Sequence, residues 1–360
     1  MTMRHRSLTP AALALSIIVV VGACSSGGAT SSPAGAESAA PPASAASEAP
    51  ASEAASATPI AMTKVPVQLD FVISATSCAI LWGKAKGFFE DAGIDLDLIP
   101  GEGSDLALNQ IDSGNVDFAF IDGSNYVDAR AKDVTKTMAL YALQNISSTA
   151  IASKEPIENP ADMVGKSFGT VAQSSGRQKI PAVLEANGVD PSQVPIELMD
   201  FSVLYPTLFE GGIDTAEVGL PGSWEGAKLA AEGQGLELFV KPISDWGYRD
   251  YSKLLITSQA MIDENEDLVR RLVGALYAAQ TDALANMTPT DCYNLVKEVD
   301  PQVEQARAEL EWSDVQQFIK DPGPMDDETF QFQLDNVKAA GTETTLTPAD
   351  LYTNEYIPTS

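Results

Sequence analysis

An α/β protein built from two α/β units is the fold class this sequence predicts. Three observations predict it: strand and helix signals alternate, the alternation occurs twice, and an Asn159-Pro160 break separates the two runs. In the first run Val65–Ile73 reads as a strand and Ala79–Ala92 as a helix stopped by Gly93. Ile94–Ile99 alternates as a strand, Ser104–Ser113 reads as a helix capped by Ser104 or Asp105, and Asp117–Ile121 is a strand again. In the second run Lys166–Val171 is a strand and Ser175–Asn187 a helix ended by Gly188. Val194–Met199 and Thr215–Leu220 follow as strands, with a helix at Trp224–Glu232. From Asp263 onward the chain reads as helical, at Glu266–Asn286, Thr290–Val299, Val303–Trp312 and Asp326–Ala340. Such alternation favours parallel sheets flanked by helices.

Two segments precede this globular part. Met1–Arg6 is short and basic, Leu8–Val21 is apolar, and Val21-Gly22-Ala23-Cys24 closes the stretch. That pattern is expected of a secretory signal over 1–23, too short for a stable membrane span. Its end resembles a bacterial lipobox, which implies cleavage before Cys24 and a lipid (palmitate) anchor on it; a plain signal with an incidental cysteine is the alternative. The expected location is the extracytoplasmic face of the cell membrane. Residues 24–63 are almost wholly Ala, Ser, Gly, Pro, Thr and Glu. A segment so poor in apolar residues cannot offset its ordering entropy and reads as a disordered linker. Its mean reach is about 35 Å.

Composition removes several functions. Cleavage takes Arg4, His5 and Arg6, leaving 20 basic residues against 50 acidic ones and no histidine. Histidine-based acid–base catalysis, Ser-His-Asp triads and His-ligated metals are thereby excluded. The acidic balance repels nucleic acid and anionic lipid headgroups. No cofactor and no metal site are expected. Cys78 and Cys292 could pair in an oxidising compartment, but their positions in sequence leave the distance open.

Four stretches carry a family resemblance. They are Trp82-Gly83-Lys84-Ala85-Lys86-Gly87-Phe88-Phe89-Glu90-Asp91-Ala92-Gly93-Ile94-Asp95-Leu96, Ser113-Gly114-Asn115-Val116-Asp117-Phe118-Ala119, Gly211-Gly212-Ile213-Asp214-Thr215-Ala216, and the tail Asp350-Leu351-Tyr352-Thr353-Asn354-Glu355-Tyr356-Ile357-Pro358. In order and spacing the chain resembles NMT1/THI5-like solute-binding proteins of ABC transporters. The resemblance implies a type II periplasmic-binding-protein fold, with two α/β lobes joined by a two-strand hinge and ligand in the cleft. Lobe one would be 64–145 plus 255–360 and lobe two 150–245, with crossovers at 138–153 and 239–257. It also implies a monomer that closes on a small molecule and delivers it to a membrane permease and its ATPase.

Open α/β sheets bind ligands beyond the carboxyl ends of their strands, so the loops that follow strands supply the candidates. After the first strand these are Ser74, Thr76, Ser77 and Cys78. After the second come Gly103 and Ser104, where a plain βα turn explains the glycines equally well; after the third come Asp122 and Ser124. In the second unit Gln173, Ser174, Ser175 and Arg177 open a helix, a place that favours an anion or dipole. Trp82, Trp224, Trp246 and Tyr248 fall near the expected cleft and could stack on a flat ligand or simply pack the core. Glu217 and Glu225 flank Trp224 and could accept from ring amines.

These features favour a small planar or aromatic solute, with thiamine-pyrimidine precursors the nearest analogy. Sulfonate, taurine or nitrate, bound by proteins of the same fold, are the alternative. An enzyme is not expected. The one enzymatic alternative rests on Cys78, which stands where a desulfinase of this fold carries its nucleophile. That enzyme also relies on a histidine, which the mature chain lacks. A sensor or adhesin using the fold for protein contacts is a further alternative.

Overall fold

The computed structural model describes residues 61–172 and 174–359. The signal segment, Cys24 and nearly all of the expected linker lie outside the described residues. The first strand, β1 (Thr63–Gln68), runs parallel to β2 (Ile94–Ile99), from Thr63 opposite Ile94 to Gln68 opposite Ile99. It stops short of the expected Ile73 because both strands end together there. The Gln68 side chain then donates to the carbonyls of Ile99 and Pro100. Between β1 and β2 lie α1 (Cys78–Ala85) and α2 (Phe88–Asp91). The single helix expected over Ala79–Ala92 is divided because Gly87 adopts a left-handed φ of 83°.

The chain continues through α3 (Ser104–Asp112), β3 (Phe118–Ile121), α4 (Gly123–Ala131) and β4 (Thr137–Gln144). It then leaves for a second sheet through β5 (Thr149–Ser153), β6 (Phe168–Thr170), α5 (Gly176–Ala186) and β7 (Ile196–Leu198). That unit is completed by α6 (Phe201–Glu210), β8 (Thr215–Gly219), α7 (Gly222–Glu232) and β9 (Phe239–Pro242). β10 (Lys253–Ser258) returns to the first sheet, followed by α8 (Gln259–Glu264), α9 (Glu266–Asn286), α10 (Pro289–Val299), α11 (Gln305–Val315) and α12 (Asp327–Ala339).

The two sheets share one plan. The first has the order β2-β1-β3-β10-β4 and the second β7-β6-β8-β5-β9. In each, three parallel strands are followed by the strand that enters from the other lobe, antiparallel, and then by the strand that leaves. This is the type II binding-protein architecture. Each sheet is buried on both faces. α1, α2 and α9 cover one side of sheet one with Ile80, Phe89, Val273 and Leu276, while α3, α4 and α12 cover the other with Leu108, Tyr126 and Phe330. In sheet two α5 contributes Ile180 and Leu184 to one side, and α6 and α7 contribute Leu208 and Ala231 to the other. Each fully buried Leu, Ile or Phe stabilises the fold by ~1.5–3 kcal/mol. Among the described residues no helix is long and apolar enough to cross a membrane.

Candidate ligand-binding site

The carboxyl ends of β1, β2 and β3 lead into loops at one edge of sheet one, and those of β6 and β8 do the same in sheet two. Two short connections, residues 145–148 and 243–252, join the lobes behind these loops. Between the lobes, the first turn of α5 engages two carboxylates at once. One is Asp122 of lobe one, which caps α4 by accepting from the Ser124 amide at 2.9 Å and the Ser124 hydroxyl at 2.5 Å; its own amide donates to Ser104 Oγ. From lobe two, Ser175 Oγ lies 3.4 Å and Lys179 Nζ 2.6 Å from Asp122 Oδ2. The other carboxylate is Glu217 of β8, which accepts from the hydroxyls of Thr170 and Ser174 and, at 3.1 Å, from the Gly176 amide. A Cβ at residue 176 would push the Glu217 carboxyl group out of this arrangement.

Lys179 is fully buried, and Asp250 on the second connection lies 2.5 Å from its ammonium. Burial alone would lower the Lys179 pKa, but the Asp122 and Asp250 carboxylates outweigh it and hold the ammonium above its ordinary range. Burial raises Asp250, against the opposing pull of Lys179. Tyr248 joins this cluster, its hydroxyl pushed up by burial and its ring packed edge-on against Phe332 at 5.5 Å. Behind the connections a cavity of about 390 Å³ is lined by Asn145, Ser147, Tyr248, Asp250, Tyr251 and Asp326.

A second seam joins the lobes where α7 meets α11. Arg307 Nη2 donates to the Gly222 carbonyl at 3.4 Å, and Nε donates to Glu311 at 2.6 Å. Glu225 is buried rather than solvated, and burial raises both its pKa and that of Glu311.

Ser104, Asp122, Ser124, Ser174, Ser175, Glu217 and Tyr248 are therefore brought together. Ser74 and Thr76, whose hydroxyls lie 3.0 Å apart, stand half-buried in the loop after β1, while Ser77 is buried in the same turn. Arg177 is exposed on α5, and Gln173 lies outside the described residues. Gly103 precedes α3, but close approach in that loop belongs to Gly101, where a Cβ would overlap the Leu69 carbonyl. The glycine pair thus serves the βα turn.

The expectation for Cys78 is corrected, and three tryptophans lie in packed surroundings. Cys78 is bonded to Cys292 with their Cα atoms 5.4 Å apart; both are fully buried, so Cys78 neither touches ligand nor acts as a nucleophile. Trp82 packs into the same cluster and donates to Asp282 at 2.7 Å, within lobe one. Trp246 sits in the lobe-two core and donates to the Glu158 carbonyl at 3.0 Å. Trp224 lies under Leu204 and Leu208 rather than in open space. Burial by residues distant in sequence has claimed all three indoles. The contacting residues that sequence reasoning missed are Thr170, Lys179 and Asp250. Phe71 is 54% exposed in the loop after β1, beside Val72 at 52%.

The family model described as NMT1/THI5 like matches residues 75–288. The chain belongs to this family. A formylaminopyrimidine-binding protein of Halalkalibacterium halodurans is 25% identical over 211 residues, 58% of this chain and 63% of that protein's length. The chain thus spans under two thirds of that relative. Among solved structures, the alkanesulfonate-binding protein SsuA of Xanthomonas axonopodis pv. citri bound to MOPS superposes with a TM-score of 0.61 at 13% identity, covering 81% of this chain and 99% of its own. The periplasmic nitrate-binding protein NrtA of Synechocystis PCC 6803 gives 0.62 at 13%, covering 82% and 87%. These likenesses establish the shared fold of this NMT1/THI5-like chain. Among the described residues no cluster of three or more His, Cys, Asp or Glu side chains is placed to hold a metal ion.

Proposed function

We infer that this chain is the solute-binding subunit of an ABC importer, held to the outer face of the membrane through Cys24, and that its cleft takes a small aminoheterocycle of the formylaminopyrimidine kind. One observation carries the ligand class: the donors at the start of α5 are turned onto Glu217. A helix N-terminus with free amides suits an anion, but here the protein's own carboxylate occupies it. A sulfonate or nitrate entering there would meet the Glu217 carboxylate, while the nearby Lys179 ammonium is already taken up by Asp122 and Asp250. A neutral ring with amino donors meets acceptors instead, and exposed Phe71 offers it an apolar face.

Hinge closure brings lobe-one and lobe-two groups onto the solute, and the closed shape is what the permease reads. No covalent step is assigned: the only cysteine in the candidate loops is held in the disulfide with Cys292. The test is thermal unfolding of the full chain with formylaminopyrimidine, taurine and nitrate supplied separately. At ~1,000 times its dissociation constant a ligand adds about 4 kcal/mol. A shift of several degrees with the pyrimidine alone is expected. A shift with taurine or nitrate alone overturns the ligand class, and consumption of a compound overturns the binding-protein reading.

A further inference from the structure

Lys179 is a lobe-two residue whose charge is matched from outside lobe two. It stands in the first turns of α5, fully buried, with Nζ 2.6 Å from Asp122 and 2.5 Å from Asp250. Asp122 belongs to lobe one and caps α4; Asp250 belongs to the connection between β9 and β10. Within lobe two the ammonium has one described polar partner, Thr149 Oγ1 at 3.3 Å. The three charges converge only where the lobes abut. Separating the lobes returns Asp122, already 16% exposed at its side chain, to water.

The physics of such a cluster is asymmetric. A complete buried ion cluster adds little net stability, because desolvation offsets attraction, whereas removing one partner leaves a charge without compensation. Without the Lys179 ammonium, the closed arrangement would hold two carboxylates close together, Asp250 fully and Asp122 mostly buried. In the open arrangement Asp122 is solvated, and Asp250 alone is left without its partner. The same substitution therefore penalises closed over open.

We propose that Lys179 is a closure latch: a positioning residue that holds the two lobes together by bridging Asp122 and Asp250. This rests on the two-lobe solute-binding reading above and goes beyond it, since closure there is attributed to the solute. A latch fixes the fraction of molecules already in the binding-competent form, and apparent affinity scales with that fraction. Ligand selectivity is left to Glu217 and the loops.

The experiment is hydrogen–deuterium exchange of the ligand-free full chain, comparing wild type with Lys179→Met and Asp122→Asn. Peptides spanning 120–128 and 174–182 report the seam; peptides spanning 139–143 and 215–219, inside the two sheets, report the folded lobes. The latch predicts faster exchange in both seam peptides by about tenfold or more, with the sheet peptides unchanged. Wild-type exchange at the seam in both variants overturns it. Should Lys179→Met loosen the sheets as well, Asp122→Asn decides, because it keeps a hydrogen-bonding group of the same shape. Seam-only acceleration there supports the latch, and none refutes it. Adding formylaminopyrimidine separates the two claims. Protection of the wild-type seam by the pyrimidine, with variants indistinguishable from wild type before its addition, ends the latch and leaves the solute reading intact. No protection in any protein counts against the solute reading alone.

Discussion

Removing the Cys78–Cys292 bond tests how lobe one is held together. The two cysteines are separated by 214 residues, and the bond ties the start of α1 to α10 beneath Trp82 and Trp312. In the chain-entropy account, a closed loop of that length restricts the unfolded chain by ~18 cal/mol/K, or about 5 kcal/mol at 25 °C. Unfolding entropy near 2.1 cal/mol/K per residue over roughly 300 residues converts this into a fall of about 8 °C in Tm. The assay is calorimetric unfolding of the full chain, oxidised and reduced, and of the Cys78→Ala/Cys292→Ala double variant. Thiol titration of the unfolded, unreduced and unprocessed chain accompanies it. The oxidised form should melt highest and yield one thiol, from Cys24. Coincident melts refute the energetic argument, and three thiols refute the bond itself.

Glu217→Gln keeps the shape at the head of α5 and removes the charge; a hydrogen bond to a charged group contributes ~1.5–3 kcal/mol, so pyrimidine affinity should fall about ten- to a hundredfold by calorimetric titration. Phe71→Ala should cost about three- to tenfold in the same titration with little change in Tm, because the ring is exposed and its proposed role is a stacking face. The α7–α11 seam should respond to pH. Burial raises Glu225 and Glu311 above the ordinary glutamate value of 4.5, so their stabilising contribution is complete below that value and is lost as pH rises through the folded-state values. Glu225→Gln should therefore raise Tm relative to wild type at about pH 8 and lose that advantage near pH 4. Asp214 and Asp350 act oppositely. Their carboxylates are lowered by amide bonds from Ser167 and Thr347, so that contribution is present above 3.8 and disappears as pH falls below it.

What the sequence disclosed follows the range of its forces. Alternation of strand and helix, and loops after strands rich in hydroxyls and carboxylates, are local signals, and they pointed to Asp122, Ser174 and Ser175, whereas Glu217, inside β8, was a candidate only as a neighbour of Trp224. α4 escaped notice because seven of its nine residues are buried, which erases the polar stripe that betrays a helix. α6 escaped because it carries Pro206 among aromatic and β-branched residues. The indoles of Trp82 and Trp246 looked available beside the cleft, yet their partners lie 200 and 88 residues away. Lys179 read as one more helix position. Its meaning depends on Asp122, 57 residues earlier, and on Asp250 in the connection between β9 and β10. Pairings of that kind are fixed by topology, and one sequence carries no local trace of them.

Isothermal titration of the full chain with formylaminopyrimidine, followed by taurine and nitrate, tests the central claim most directly. The account predicts saturable one-to-one binding of the pyrimidine, weakened by Glu217→Gln, and no heat from either anion. Binding of taurine or nitrate that survives or strengthens in Glu217→Gln, with none of the pyrimidine, would contradict it.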